Sequence, residues 1–559
     1  MKSNVNSLQD GPTFVFAVLL IVVSFALQST YRTTPIVRVV SSLVRVGQHD
    51  LPRGSTQAEV WAARGECASF QIVIRGPSRN LSTVNITFED LIGSNRTLLP
   101  KSSLDVYREQ YVYVSRGSEV RGGNNRPQGP GWYPDGLIPF VDPDTHRPVA
   151  RATLKAAPFD LPAETNQPLW VDVCIPRDVA PGPYHGTLTV TSNQGKVPLP
   201  ILVHVWHFEL PLKPTLQTAF IIYNDTISKP PIYYAGQGAN QEMLLRHRIM
   251  PVPVNHEQER EFIDKLGLDI AQAGFHEYAT GGNCNQPPAP SVGELQAERA
   301  AHQPDIQVYL QIADEVSDCT KIFPALRDWA RNARSAGMRT LLTAIPSKAL
   351  LDDGSGTGRS VADIWALLPK HFVSNPSDVA TAIRKGDQVW SYTALVQDDF
   401  SPKWAIDFDP INYRILGGFL NQSLGLRGLL YWAVNSWVLK APRDPWNQVQ
   451  NLGPDGSYPP GEGMLVYPGE KVGLSGFAPS MRLKWIRDSV QDFEYVEILR
   501  RLGREDQALQ VARTVASDWK NWTHDPDVLE TARLKLGQEI DRISAPSATR
   551  EEAPLRREP

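Results

Sequence analysis

Two acids stand side by side in the stretch VYLQIADEVSD, residues 308 to 318, directly after a run of strand-forming residues. Asp314 and Glu315 come from one point of the backbone, with Cα atoms about 3.8 Å apart. Such a pair is poorly placed to flank a bond from opposite sides, as many glycosidase acid pairs do. It can act from one side of a substrate, one acid moving a proton and the other stabilising charge. The competing reading is local: Asp314 caps a following helix and Glu315 favours its first turn. Successive strand side chains point to opposite faces, so both acids share a site only if the strand bends or ends at Asp314. Aromatic and amide residues gather at other predicted strand ends: Tyr278, Trp390 and Tyr392, then Trp432, Asn435 and Trp437. Sugar rings have apolar C–H faces and a hydroxyl rim, so flat aromatic walls beside carboxylates suit a glycan. Taken singly, each aromatic is an ordinary core filler. Asn224, Asn255, His256 and His276 end the first predicted strands and are secondary polar candidates.

The elements that must position these residues alternate. Strand-like runs at 216–224, 249–255, 274–280, 306–313, 339–345, 362–369, 388–395 and 427–437 are separated mostly by amphipathic stretches such as EQEREFIDKLGLDIAQAG. Eight such repeats predict a (β/α)8 barrel, whose chemistry sits at the C-terminal ends of its strands. An open doubly wound sheet is the alternative, but no G-x-G-x-x-G turn follows the first strand. Before the barrel, short strands without helices predict an antiparallel β-sandwich. After it come helical stretches. The expected class is multidomain β and α/β. Residues 36–212 form the sandwich, 215–475 the barrel and 476–545 a C-terminal helical region, with a disordered tail over 546–559. Within the sandwich, RGGNNRPQGPGWYPDGLIPF is a long loop of the kind that is functional or disordered.

Composition narrows the function classes. The 56 Lys and Arg against 60 Asp and Glu leave a formal charge of −4, so no basic field for nucleic acid follows. Residues 1–30 hold the apolar run TFVFAVLLIVVSFALQ, close to a signal-peptide core in length. A cleaved signal peptide is the first reading, an uncleaved membrane anchor the second, and both imply an extracytoplasmic protein. Cys67, Cys174, Cys284 and Cys319 lack the spacing of a metal knuckle. In an exported chain either pair can oxidise, and buried free thiols are the other reading. No metal or other cofactor is expected.

NQPLWVDVCIPRDVAPGPYHGTLTV, LVHVWHFELP, GEGMLVYPG and SMRLKWIRDSVQDFEYVEIL together resemble glycoside hydrolase family 123 and the related domain of unknown function 4091. The resemblance runs from about residue 36 to 502 and is most specific at Arg482, Arg487, Asp488, Asp492, Glu494 and Tyr495. It implies a sandwich before a catalytic barrel and a β-N-acetylgalactosaminidase using an adjacent Asp-Glu pair, here Asp314 and Glu315. Val316 stands where Pro often follows the pair. The implied mechanism is substrate-assisted: the 2-acetamido group attacks the anomeric carbon, Glu315 is the general acid and Asp314 orients the acetamide. Two other readings remain. One is a non-catalytic carbohydrate-binding scaffold of the cell surface. The other is a glycosidase of different sugar specificity, using Glu315 with Asp398 or Asp399.

Overall fold

The computed structural model describes residues 34–229, 231–274, 276–439, 444–447, 449 and 458–545. The apolar run at 13–28 and the tail at 546–559 lie outside the described residues. Among the described residues no helix is long and apolar enough to cross a membrane.

Two sheets form the first part. One has five antiparallel strands in the spatial order Ile36–Ser41, Cys67–Arg75, Asn166–Cys174, Leu104–Val114 and Gly131–Pro139. The second is built on Ala58–Arg64, Gly195–Glu209, Gly182–Ser192, Leu81–Phe88 and Phe159–Leu161. It is antiparallel except where Ala58–Arg64 runs parallel to Gly195–Glu209. Leu169, Val171 and Val173 fill the space between the sheets, while Trp170, on the opposite face of the same strand, packs away from it. The strand is buried on both faces, so PLWVDVC is apolar except for the paired Asp172 and does not alternate. Cys67 and Cys174 are direct cross-strand partners and form a disulfide.

The barrel strands are Gln217–Ile221, Pro251–Val252, Ile270–Gln272, Gln307–Asp314, Arg339–Thr343, Ile364–Leu367, Gln388–Tyr392 and Gly428–Tyr431. They make one parallel eight-stranded sheet, closed except between the second and third strands, which share no ladder. The third strand differs from the sequence expectation of 274–280. Gly267, at φ 74°, ends the helix Glu259–Leu266, because glycine accepts the left-handed cap without a side-chain clash. Ile270–Gln272 then enters the sheet, and 276–280 becomes the loop above it, with one parallel bridge from Thr280 to Asp314.

Helices Met481–Arg501, Glu505–Val515 and Pro526–Ser544 close the molecule. The first is buried nearly all round, so it shows no polar face. Its charged residues join the parts. Arg482 binds Asp135 at 2.7 and 2.8 Å, and Arg487 binds Asp172 at 2.9 and 3.0 Å. On the barrel side Arg414 reaches Asp492 at 2.8 and 3.2 Å, and Thr215 Oγ1 donates to Glu494 at 2.9 Å. Burial alone would raise the Asp172 carboxyl, but Arg487 and Lys484 hold it well below the usual carboxylate range. The most specific part of the sequence resemblance is thus an ionic seam between sandwich and barrel rather than part of the reaction site. Removing one partner of such a pair strands a buried charge, at a cost of about 3–5 kcal/mol.

Candidate active site

Two backbone departures bring both acids to one mouth. Along Gln307–Asp314, Gln311 pairs with Leu341 but Asp314 pairs with Thr343, so three steps on one strand oppose two on its neighbour. This bulge places Gln311 and Asp314 on the same face, which strict alternation forbids. The strand ends at Asp314, and Glu315 follows at φ 53°, the left-handed region. A non-glycine residue held there costs about 1–3 kcal/mol and persists only when its surroundings fix it. Here they do. Asp314 N donates to the Ala279 carbonyl at 3.0 Å, and Gly281 lies so close that a Cβ would stand 2.6 Å from the Glu315 carbonyl oxygen. Gln286 accepts from Ala279 N at 2.9 Å and donates to the Ile312 carbonyl, inside the bulge, at 3.0 Å. The Cys284–Cys319 disulfide ties the same loop to the chain just beyond the pair. Val316, at the position where the resemblance favours Pro, is fully buried and anchors the turn by packing.

The two acids have different surroundings. Asp314 is largely buried; desolvation, then the Glu315 charge, push it up to about 6, and the Thr343 hydroxyl offsets part of the rise. Glu315 is exposed at the rim. The Tyr392 hydroxyl stands 3.5 Å from Glu315 Oε1, the long end of a hydrogen bond. Burial, then the Glu315 and Asp314 charges, raise that phenol well above its ordinary value. Tyr278 and Tyr223 are also raised, first by burial and then by the Asp314 charge, so both lie within its electrostatic reach. Trp432 is half-buried, 6.3 Å from Tyr223 between ring centres, and its indole N–H donates to Glu462 at 2.9 Å. Burial pushes Glu462 up to about 7 against that donor. Among the described residues no cluster of His, Cys, Asp and Glu is arranged to hold a metal ion.

Asp314, Glu315, Tyr392, Tyr278 and, through Tyr223, Trp432 therefore come together. Three other sequence candidates do not. Trp390 is fully buried one layer below Tyr392, bonded to Gln388 and pressed against Gly428, where a Cβ would lie 2.3 Å from its ring. Asn435 has both amide atoms bound to the Tyr223 backbone at 2.8 Å, so it positions that tyrosine rather than facing a ligand. Trp437 bonds the Val466 carbonyl and packs edge-on to Tyr234 and Phe477 as core. Of the secondary candidates, His276 pairs with Glu298, Asn224 accepts from Ala235 N, Asn255 binds Gln241 and Gln258, and His256 packs on His302. Asp398 accepts from Phe400 N, Ser401 N and Ser401 Oγ and pairs with Lys403, so its carboxylate is occupied. Asp399 is exposed beside it. Sequence reasoning passed over Tyr223, Gln286, Thr343 and Glu462. Tyr223 closes the first strand run and was open to the strand-end argument; Glu462 lies in GEGMLVYPG. A cavity of about 440 Å³ between the sandwich edge and the C-terminal helices holds Arg414 and Arg533, but both are paired with acids, which sets it apart from the reaction site.

A nearly closed (β/α)8 barrel with a carboxylate pair at the end of its fourth strand, walled by tyrosines and a tryptophan, suits a glycosidase. The chain belongs to glycoside hydrolase family 123. The glycoside hydrolase 123 N-terminal domain matches residues 45–192 and the glycoside hydrolase 123 catalytic domain matches 297–499, together more than half of the chain. Among solved structures, a family 123 glycoside hydrolase from Clostridium perfringens, described for glycolipid glycan hydrolysis, aligns over 91% of this chain and 99% of its own with a TM-score of 0.63 at 15% identity. That likeness extends the shared fold across both domains. A termite-gut GH10 xylanase with a bacterial Ig-like domain aligns over 58% of this chain and 90% of its own at 9% identity, with a TM-score of only 0.29. No curated protein matches the sequence.

Proposed function

We propose that this glycosidase removes terminal 2-acetamido sugars, of the β-N-acetylgalactosaminide type, by substrate-assisted hydrolysis with retention. The observation that carries this reading is that Asp314 and Glu315 are consecutive yet open to one mouth, through the bulge and the left-handed Glu315. Two acids on one side of the scissile bond do not themselves reach its opposite face, from which the substrate's acetamide can attack. Glu315, at the rim, protonates the leaving oxygen and then draws a proton from the incoming water. Asp314, ionised above its raised value of about 6, accepts the acetamide N–H on its carboxylate and stabilises the oxazolinium charge as it develops. Tyr392 holds the Glu315 carboxyl from the seventh strand, and Trp432 offers a flat wall to the sugar's C–H face. The occupied Asp398 weighs against that residue as a distant second acid. The two disulfides support work in an oxidising, extracytoplasmic compartment.

A panel of chromogenic β-N-acetylhexosaminides and plain hexosides tests the reading, with the anomer of the first product followed by NMR. Cleavage of 2-acetamido glycosides with retention, and inhibition by a sugar-fused thiazoline, is the expected result. Cleavage of plain hexosides alone overturns it. Glycan binding without any cleavage would instead support a scaffold role.

A further inference from the structure

The chain between Leu104–Val114 and Gly131–Pro139 leaves the sandwich and lies on the barrel. Its docking groups are engaged. Ser118 gives its N–H and hydroxyl to the Asp407 carboxylate at 2.6 and 2.7 Å. Buried Asn125 donates to the Ser401 carbonyl at 2.9 Å and to Asn412 Oδ1 at 2.8 Å. Gln128 reaches the Asp407 carbonyl and Asp409 Oδ1, each at 2.7 Å. Gly123, at φ 66°, passes where a Cβ would collide with the Asp399 carbonyl. The loop is a fixed wall. Two of its arginines, Arg116 and Arg121, take no part in that docking. Arg116 is exposed and has no hydrogen bond or ion pair among the described residues. Arg121 pairs with exposed Glu119 at 2.8 Å, a contact that contributes little in water.

Arg116, Arg121 and Glu119, the ion-pair partner of Arg121, line one side of a cavity of about 450 Å³, with Leu395, Val396, Tyr458 and Pro459 of the barrel opposite. The cavity adjoins the acids. Leu395 lies three residues beyond Tyr392, and Tyr458 stands edge-on to Trp432 at 6.1 Å. Trp432 in turn neighbours Tyr223, which senses Asp314. A glycan with its terminal sugar at Asp314 and Glu315 can therefore run past Trp432 and set a following unit against Tyr458. The Tyr458 ring suits a sugar C–H face, and a free guanidinium suits the planar, bidentate recognition of a carboxylate or sulfate.

We propose that this cavity is a leaving-group-side subsite, shared between sandwich and barrel, that binds an anionic sugar unit through Arg116 and Arg121. The shared chemistry is an oxyanion on the unit next to the scissile bond, a uronic-acid carboxylate or a sulfate ester. The inference rests on the 2-acetamido reading for its position relative to the bond cut, but not for the binding itself.

The test uses the full chain and matched disaccharides in which a β-linked 2-acetamido sugar precedes glucuronic acid, its neutral methyl ester, or a sulfated neutral hexose. Wild type should prefer the anionic members, with the better of the carboxylate and sulfate arms naming the source of the anion. Arg116→Ala and the Arg116→Ala, Arg121→Ala double variant should lower the anionic-to-neutral ratio of kcat/KM by about tenfold or more, the loss typical of one charged hydrogen bond. Arg116→Lys should recover part of it. A ratio unchanged within about twofold in the double variant, against a fully active wild type, overturns the subsite. Calorimetric titration of the uronate disaccharide into Glu315→Gln chain, with and without Arg116→Ala, separates the two ideas because it needs no turnover. Arg116-dependent binding without any 2-acetamido hydrolysis by wild type would reject the reaction and keep the site. Hydrolysis with Arg116-independent binding would reject the site and keep the reaction.

Discussion

Asp314→Asn should abolish turnover while making the protein more stable, and only above the pH at which the buried acid ionises. Burial and the Glu315 charge move Asp314 from 3.8 to about 6. Between those values the folded chain holds a proton that the unfolded chain has released, so stability falls by about 1.4 kcal/mol per pH unit. The interval of about two units gives a penalty of about 3 kcal/mol, an upper figure because the side chain keeps some solvent contact. The penalty is absent below the unfolded value, grows as pH rises through the folded value and is complete above it. Asparagine has nearly the same shape and carries none of it. Urea unfolding of wild type and variant at about pH 4 and about pH 7.5, followed by tryptophan fluorescence, reads the difference. The variant should gain about 2–3 kcal/mol at the higher pH and little at the lower. A gain of equal size at both pH values, or a variant less stable at the higher one, would refute the argument that Asp314 is held ionised against its surroundings. The acid limb of kcat should fall near pH 6 in wild type, and Glu315→Gln, which removes a neighbouring negative charge, should move that limb downward when an activated aryl glycoside makes the general acid dispensable.

Other consequences follow from the same geometry. Glu315→Gln should cost about 10²–10⁴-fold in kcat on poor leaving groups and much less on nitrophenyl leaving groups; an equal loss on both would remove Glu315 from the general-acid role. Tyr392→Phe should lower kcat by about tenfold at constant fold, and a purely raised KM would show that the hydroxyl binds sugar instead of holding Glu315. Gln286→Ala releases the Ile312 carbonyl and Ala279 N–H together, so kcat should fall more than thermal stability suggests, with Gln286→Glu giving partial recovery. Reducing Cys284–Cys319 opens a separation of 35 residues, worth about 4 kcal/mol of constraint in the chain-entropy model; full activity in the Cys284→Ser variant would show that the loop needs no brace.

The sequence by itself determined the order of architectures, because burial on one or both faces dictates residue period. Short strand-forming runs without helices before residue 212 declared the sandwich, and the alternation after residue 215 declared the barrel. It also determined the Asp314-Glu315 pair and its place at a strand end. Only the tertiary structure decided whether that pair could act together. Side-chain direction in a strand follows the ladder register, and the register slip after Gln311 is set by pairing with Arg339–Thr343, residues distant in the chain. The left-handed Glu315 was equally hidden, since its backbone is held by Gly281 and the loop around Gln286. The third strand was misplaced because IAQ reads as the end of an amphipathic helix until Gly267 is seen to cap it. Aromatic residues two apart on one strand carry the same period signal, yet Tyr392 lines the mouth while Trp390 fills the layer beneath. Depth along the barrel axis is a property of the closed sheet, and no local pattern encodes it. The role of the charges in SMRLKWIRDSVQDFEYVEIL was hidden too: their partners Asp135, Asp172 and Arg414 come from other parts of the chain, and only folding brings them within 3 Å of the helix.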